Sequence, residues 1–187
     1  MPRAVGLTEL AEALFLRVPV TLRLTVLGHS MGGLVGYELT RLLCAAGRPP
    51  ELLIVAATRP PRYRLDASLA AGSYTNDDEY LTVLHRAGIV PAQLLTSPLR
   101  AMVVPALRAD LLTLASYQPD NDAPALPVDL QVWRGRDDPV TPPGIVDAWA
   151  EYTSKTFRVR VFEGGHFFLD GLAARDGLLG TSLSPNP

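Results

Sequence analysis

The stretch Thr25-Val26-Leu27-Gly28-His29-Ser30-Met31-Gly32-Gly33-Leu34-Val35-Gly36-Tyr37-Glu38-Leu39 decides the fold. A β-rich run, Val20 to Leu27, stops at Gly28. An amphipathic pattern starts at Met31 and continues to Ala46. Leu34, Val35, Leu39, Leu42 and Leu43 form its apolar stripe, and Gly47 suits its C-terminal cap. Between the two lies a G-x-S-x-G pattern, Gly28 to Gly32. It sets the serine on a sharp strand-to-helix turn, with its hydroxyl exposed above a sheet. Such a turn crowds backbone atoms, so glycines are expected on both sides of Ser30. The helix that follows points its amino end at the serine. Its dipole and the free N–H of Met31 favour developing negative charge there. A chance match in a chain this long has a probability of roughly 0.05. The position between a strand and a helix therefore carries more weight than the pattern itself. The alternative is a glycine-rich turn whose serine merely caps the helix.

Outward from this turn, helical and extended patterns alternate. Residues 7–16 place Leu7, Leu10, Ala11 and Leu14 on one helical face. Leu52 to Ala57 is a short continuous apolar run, as expected of a strand buried on both faces. Val128 to Trp133 reads as another strand and Gly144 to Tyr152 as a helix. Phe157 to Phe162 alternates Phe157, Val159 and Val161 against Arg158 and Arg160. The order strand, helix, strand, helix, strand predicts an α/β fold with a mostly parallel sheet, built as one domain over residues 1–187. One region breaks the rhythm. Residues 59–127 contain no clear strand. Asn76 begins a capping box with Glu79, so a helix is expected there. Ala101 to Tyr117 is a second helix, expected to break near Pro105, and prolines at 91, 98 and 105 segment the stretch. A largely helical insertion of this size is expected to act as a lid; the alternative is an enlarged crossover. The tail, Thr181 to Pro187, is expected to be disordered.

Composition narrows the possible functions. Forty-eight per cent of the 187 residues are apolar and the formal charge is −2, which is ordinary for a soluble globular domain. No basic stripe suits a nucleic-acid partner. No uncharged stretch near the motif is long enough for a membrane span, and charges interrupt the first 25 residues, so no signal peptide is expected. Cys44 is the only cysteine; an internal disulfide is ruled out and the cytoplasm is the expected compartment. Its neighbours, Leu42, Leu43, Ala45 and Ala46, mark it as packing and not as a reactive thiol.

A serine nucleophile needs a base, and the base needs an orienting carboxylate. In folds with this nucleophile turn the chain order is Ser, then Asp or Glu, then His. The chain has three histidines. His29 lies inside the turn, too close in sequence to reach round as the base. His85 lies on an insertion helix. His166 sits on a glycine loop, Glu163-Gly164-Gly165-His166-Phe167-Phe168, just past a strand's carboxyl end, and is the candidate base. For the carboxylate, the loop Gly135-Arg136-Asp137-Asp138-Pro139 follows the Val128–Trp133 strand. Spacing alone leaves both aspartates open.

These segments resemble the type II thioesterases of polyketide and nonribosomal peptide synthesis, which are α/β-hydrolases. The resemblance runs from about Leu7 to Leu169. It is carried by Gly28 to Gly33 with Tyr37-Glu38-Leu39, by Arg108-Ala109-Asp110 and Tyr117 as a lid motif, by the G-x-x-D-P loop ending at Pro139, and by Gly164 to Leu169. It selects Asp138 over Asp137. It implies a catalytic Ser30, Asp138 and His166, with the Met31 N–H as an oxyanion donor. It also implies hydrolysis of acyl thioesters on the phosphopantetheine arm of a carrier protein, with no cofactor and no metal. Two departures stand out. The family carries N-terminal strands, with a loop that supplies a second oxyanion donor, before the segment corresponding to Leu7. After Leu169, Gly171, Gly177 and Gly180 interrupt what is usually an amphipathic helix. The chain is therefore expected to be N-terminally truncated and weakly active. Two other readings stay open: a carboxylesterase or acyltransferase on small molecules, and an inactive hydrolase-like fragment that only binds.

Overall fold

A computed structural model describes residues 6–20, 23–63, 66–71, 74 and 76–171. Four strands form one sheet: β1 (Thr25–His29), β2 (Leu52–Ala56), β3 (Asp129–Gly135) and β4 (Phe157–Phe162). They lie side by side in chain order, every pair parallel. Parallel neighbours need crossovers. These are α2 (Met31–Ala45) between β1 and β2, the insertion between β2 and β3, and α6 (Pro143–Val146) with a 3-10 turn (Asp147–Tyr152) between β3 and β4. The expected α/β architecture with a parallel sheet is the one observed.

Strand alternation gives the sheet two apolar faces. Leu53, Val55, Leu130 and Val132 pack with Tyr37, Val146 and Trp149. Ile54, Ala56 and Trp133 pack with Phe168 on the other side. Helix α1 (Leu7–Phe15) buries Leu7 and Ala11 against Val35, Leu39 and Leu43 of α2. Cys44 is half-buried beside the first of these cores, and burial pushes its thiol pKa up.

The insertion is helical, as expected: α3 (Ala67–Ala71), α4 (Asp77–Arg86), a 3-10 turn (Ala92–Thr96) and α5 (Arg100–Ser116). It has its own core, with Tyr80, Leu81, Leu84, Val104 and Leu111 buried together. The Asn76 side chain accepts a hydrogen bond from the Glu79 N–H and caps α4. Among the described residues no helix is long and apolar enough to cross a membrane.

Four departures from expectation stand out. β1 begins at Thr25 and not at Val20, which is 77% exposed. Among the described residues its ladder partner is β2, and the bond just before the ladder runs from the Glu51 N–H to the Leu24 carbonyl. β3 runs two residues past Trp133, to Gly135, because β4 pairs with it as far as Phe162. The segment after Gly144 is one α-turn followed by 3-10 helix. Helix α5 passes through Pro105 unbroken. Pro105 sits in the second turn on the exposed side, so its ring meets solvent and only one ladder bond is forgone. The tail 181–187 lies outside the described residues.

Candidate active site

Ser30 occupies the turn between β1 and α2 with φ 54° and ψ −123°, a conformation that side chains other than glycine rarely adopt. The surroundings enforce it. The Ser30 N–H donates to the Ala56 carbonyl (2.8 Å). The Thr58 hydroxyl lies within bonding distance of the Ser30 carbonyl (2.9 Å) and of the Ala56 carbonyl (2.8 Å). A Cβ on Gly28 would stand 2.0 Å from the Gly32 carbonyl oxygen, and one on Gly33 would stand 2.1 Å from Thr58 Oγ1. A Cβ on Gly32 meets nothing within 4 Å. The expected need for glycine on both sides of the serine therefore holds at Gly28 and moves from Gly32 to Gly33. Met31 is the first residue of α2. Its N–H belongs to the group at a helix start that has no intrahelical acceptor.

The structure brings Asp138 and His166 to this turn. His166 Nε2 lies 3.1 Å from Ser30 Oγ, and His166 Nδ1 lies 3.1 Å from Asp138 Oδ2. A carboxylate only accepts, so Nδ1 carries the proton and Nε2 presents its lone pair to the serine hydroxyl. Both side chains come from loops at the carboxyl ends of strands, after β3 and β4. Gly135 allows the close approach: a Cβ there would meet the Gly165 carbonyl oxygen at 2.2 Å.

Asp138 is 3% exposed and His166 5%. Burial alone would raise the Asp138 carboxyl pKa. Hydrogen bonds from His166, from the Thr141 hydroxyl (2.6 Å) and from the Val140 N–H (2.9 Å) outweigh it and hold the group below its ordinary value. Asp137 is exposed, and only its backbone N–H joins the loop, donating to the Gly164 carbonyl. His85 lies away from the site, bonded through Nδ1 to the Val90 carbonyl.

A small cavity of about 70 Å³ opens beside Ser30, walled by Met31, Leu34, Tyr63, Leu114 and Tyr117 among others. The Tyr117 hydroxyl donates to the buried Glu38 carboxylate on α2. Burial first, and then Glu38, push the Tyr117 phenol pKa up, so it stays a donor. Among the described residues no group of three or more His, Cys, Asp or Glu could hold a metal ion. Sequence reasoning missed Thr58 and Thr141. A threonine three residues past a loop aspartate is a common helix-start signal and gives no hint that it bonds that aspartate.

Residues 4–182 match the model of the thioesterase domain family. The chain is 33% identical to a probable cadicidin biosynthesis thioesterase of Streptomyces griseus, over 81% of this chain and 42% of that protein. It is 32% identical to the thioesterase PikA5 of Streptomyces venezuelae, over 79% of this chain and 52% of that one. It spans about half the length of these curated relatives. Among solved structures, it resembles the RedJ thioesterase of prodiginine biosynthesis in Streptomyces coelicolor, with a TM-score of 0.78 at 31% identity over 92% of this chain and 70% of that one.

Proposed function

The chain belongs to the thioesterase domain family and has the α/β-hydrolase fold, and from that premise we propose that it hydrolyses acyl thioesters through Ser30, His166 and Asp138. The observation that carries the reading is the continuous hydrogen-bonded line from Ser30 Oγ through both imidazole nitrogens of His166 to Asp138. In the first half-reaction His166 Nε2 takes the hydroxyl proton and Ser30 Oγ attacks the thioester carbonyl. The oxyanion that forms faces the Met31 N–H and the amino end of α2. Collapse breaks the carbon–sulfur bond, and the thiol leaves with the proton held by His166. In the second half-reaction water gives a proton to His166 and attacks the acyl-serine. The acid departs, and Ser30 recovers its proton. Asp138 keeps the Nδ1–H tautomer and balances the imidazolium at each step. No cofactor enters this cycle.

The substrate class in this reading is an acyl chain on the phosphopantetheine arm of a carrier protein, removed as an editing step in polyketide or nonribosomal peptide assembly. The solved YbtT structure, a type II thioesterase from the yersiniabactin NRPS/PKS pathway, supports that class by likeness, at 28% identity and a TM-score of 0.76. The insertion, residues 59–127, serves as the lid: it folds on its own core, and Leu114 and Tyr117 form a wall of the cavity beside Ser30. The test uses an acyl-pantetheine thioester with a matched oxygen ester. Mass spectrometry of the trapped protein should place the acyl group on Ser30, and Ser30→Ala should abolish both trapping and turnover. Acyl trapped elsewhere would overturn the residue assignment. Ester turnover faster than thioester turnover would favour the small-molecule esterase instead.

A further inference from the structure

We propose that His29 is a positioning residue for this reaction: it ties the main chain of the base to the residue beside the nucleophile. The inference rests on the assignment of Ser30 and His166 above. His29 is the last residue of β1, immediately before Ser30. Its Nε2 lies 2.8 Å from the carbonyl oxygen of His166, a contact that spans 137 residues of chain. A carbonyl oxygen only accepts, so His29 Nε2 carries a hydrogen and donates it. The ring is half-buried, with its centroid 5.1 Å from that of His166 and 6.0 Å from that of Phe167. Burial lowers the pKa of His29, so it acts as a neutral donor and adds no positive charge beside the base.

The consequence is a two-point attachment. The imidazole of His166 is bonded to Ser30, and the backbone of His166 is bonded to the residue next to it in sequence. The ring is already held between Ser30 Oγ and Asp138 Oδ2; the bond from His29 fixes the main chain that carries the ring, and with it the place of the ring relative to the nucleophile. The attachment matters because it acts on the base residue directly, beyond the bonds that place the loop before it. The Asp137 N–H donates to the Gly164 carbonyl and the Phe168 N–H to the Gly165 carbonyl, which places the loop before His166, and the His29 bond adds a hold on the main chain of His166 itself. Ser30 is rigid on its strained turn, and rigidity on one side is useful only if the partner is registered to it. A displacement of about 1 Å between reacting groups can cost on the order of 10² in rate.

The test compares His29→Phe, which keeps a ring and loses the donor, with His29→Gln, whose amide N–H can donate to the same carbonyl. Two rates are measured: turnover of an acyl-pantetheine thioester, and labelling of Ser30 by a fluorophosphonate, located by mass spectrometry. Thermal unfolding checks that each variant is folded. His29→Phe should lower kcat and the labelling rate by roughly 10- to 100-fold, with KM essentially unchanged. His29→Gln should recover most of the loss. Labelling of His29→Phe at the wild-type rate would overturn the inference, and so would equal impairment of both folded variants, since shape and not the donor would then matter. If His29→Phe does not fold, His29→Ala takes its place under the same criteria. Failure of the wild type to label at Ser30 would sink the nucleophile assignment, and this inference with it. A labelled wild type with an unimpaired His29→Phe sinks this inference alone.

Discussion

Alanine substitution at the glycines around Ser30 should give opposite results at Gly28 and Gly32, although both belong to the same pattern. At Gly28 the new Cβ would stand 2.0 Å from the Gly32 carbonyl oxygen, 2.4 Å from its carbon and 2.7 Å from the Gly33 nitrogen. All three are backbone atoms of the first turn of α2, so no side chain can swing aside to relieve the clash. Either β1 or the helix start must shift, and with it Ser30 and Met31. Overpacking a tight site costs about 1–3 kcal/mol and occasionally more; a clash wholly against backbone belongs at or above the top of that range. At about 2–4 °C per kcal/mol for a chain of this size, Gly28→Ala should lower Tm by roughly 6–12 °C. It should also reduce thioester turnover, because the turn that moves carries the nucleophile. At Gly32 a Cβ meets nothing within 4 Å, and the residue lies in the helix with an ordinary φ. Alanine there should stabilise by about 0.5–1 kcal/mol through helix propensity, raising Tm by roughly 1–4 °C. Thermal unfolding followed by circular dichroism, with thioester hydrolysis on the same preparations, measures both. Equal damage at the two positions, or a Gly28→Ala variant that melts and turns over like wild type, would refute the steric reasoning.

Three other outcomes are expected. Asp138→Asn should lower kcat by up to ~10⁴, as a wrong histidine tautomer does in serine proteases, whereas Asp137→Asn changes it little; the reverse ranking in folded variants would overturn the choice of Asp138. Thr141→Val deletes the hydroxyl that donates to the Asp138 oxygen shared with His166. It should lower kcat by roughly tenfold, in line with a net loss of about 1–1.5 kcal/mol for one hydrogen bond, and Thr141→Ser should retain most of the rate; the comparison is made in steady-state kinetics. Asp138 also predicts a pH dependence of stability. Its folded pKa lies below the ordinary value of 3.8, so its contribution is complete above that value and is lost as pH falls through the lower, folded one. The gap in Tm between wild type and Asp138→Asn should therefore narrow below pH 3.8; thermal scans across that range that show a constant gap would contradict the assignment.

The sheet was readable because its signals are local. Leu52 to Ala56 is apolar at every position, and a run of that kind has few places to go except a strand covered on both faces. The turn at Ser30 was readable because the strain itself demands particular residues. Boundaries were less so, since they are set by partners. Val20 has the propensity of a strand residue but is exposed and, among the described residues, lies outside the ladder with β2, and Pro105 reads as a helix breaker until its exposure in an early turn is known. The glycine requirement at position 33 was invisible for the same reason: what crowds it is Thr58, just past the end of the neighbouring strand β2.

The least readable part of the site is the contact between Tyr117 and Glu38. Both residues lie in segments that carry the family resemblance, yet nothing in either segment says that they meet. Glu38 sits on α2, where helical periodicity predicts a neighbour for the apolar stripe and gives no reason for a carboxylate that is 6% exposed. A buried carboxylate is costly unless it is paired and hydrogen-bonded, so it requires partners from elsewhere. The Tyr117 hydroxyl is one, and Arg41, 3.6 Å away on the same helix, is another; Arg41 also reaches Asp120 at 3.0 Å. Tyr117 follows the last residue of α5, and Asp120 lies just beyond it. The exit of the insertion is thus fastened to the helix that starts at the nucleophile. Because Leu114 and Tyr117 both wall the cavity beside Ser30, this polar contact fixes the distance between that wall and the reacting oxygen. A hydrophobic pair at the same two positions would bury similar area. It would leave rotation about α2 unspecified, whereas a hydroxyl donating to one carboxylate oxygen has a single favourable direction.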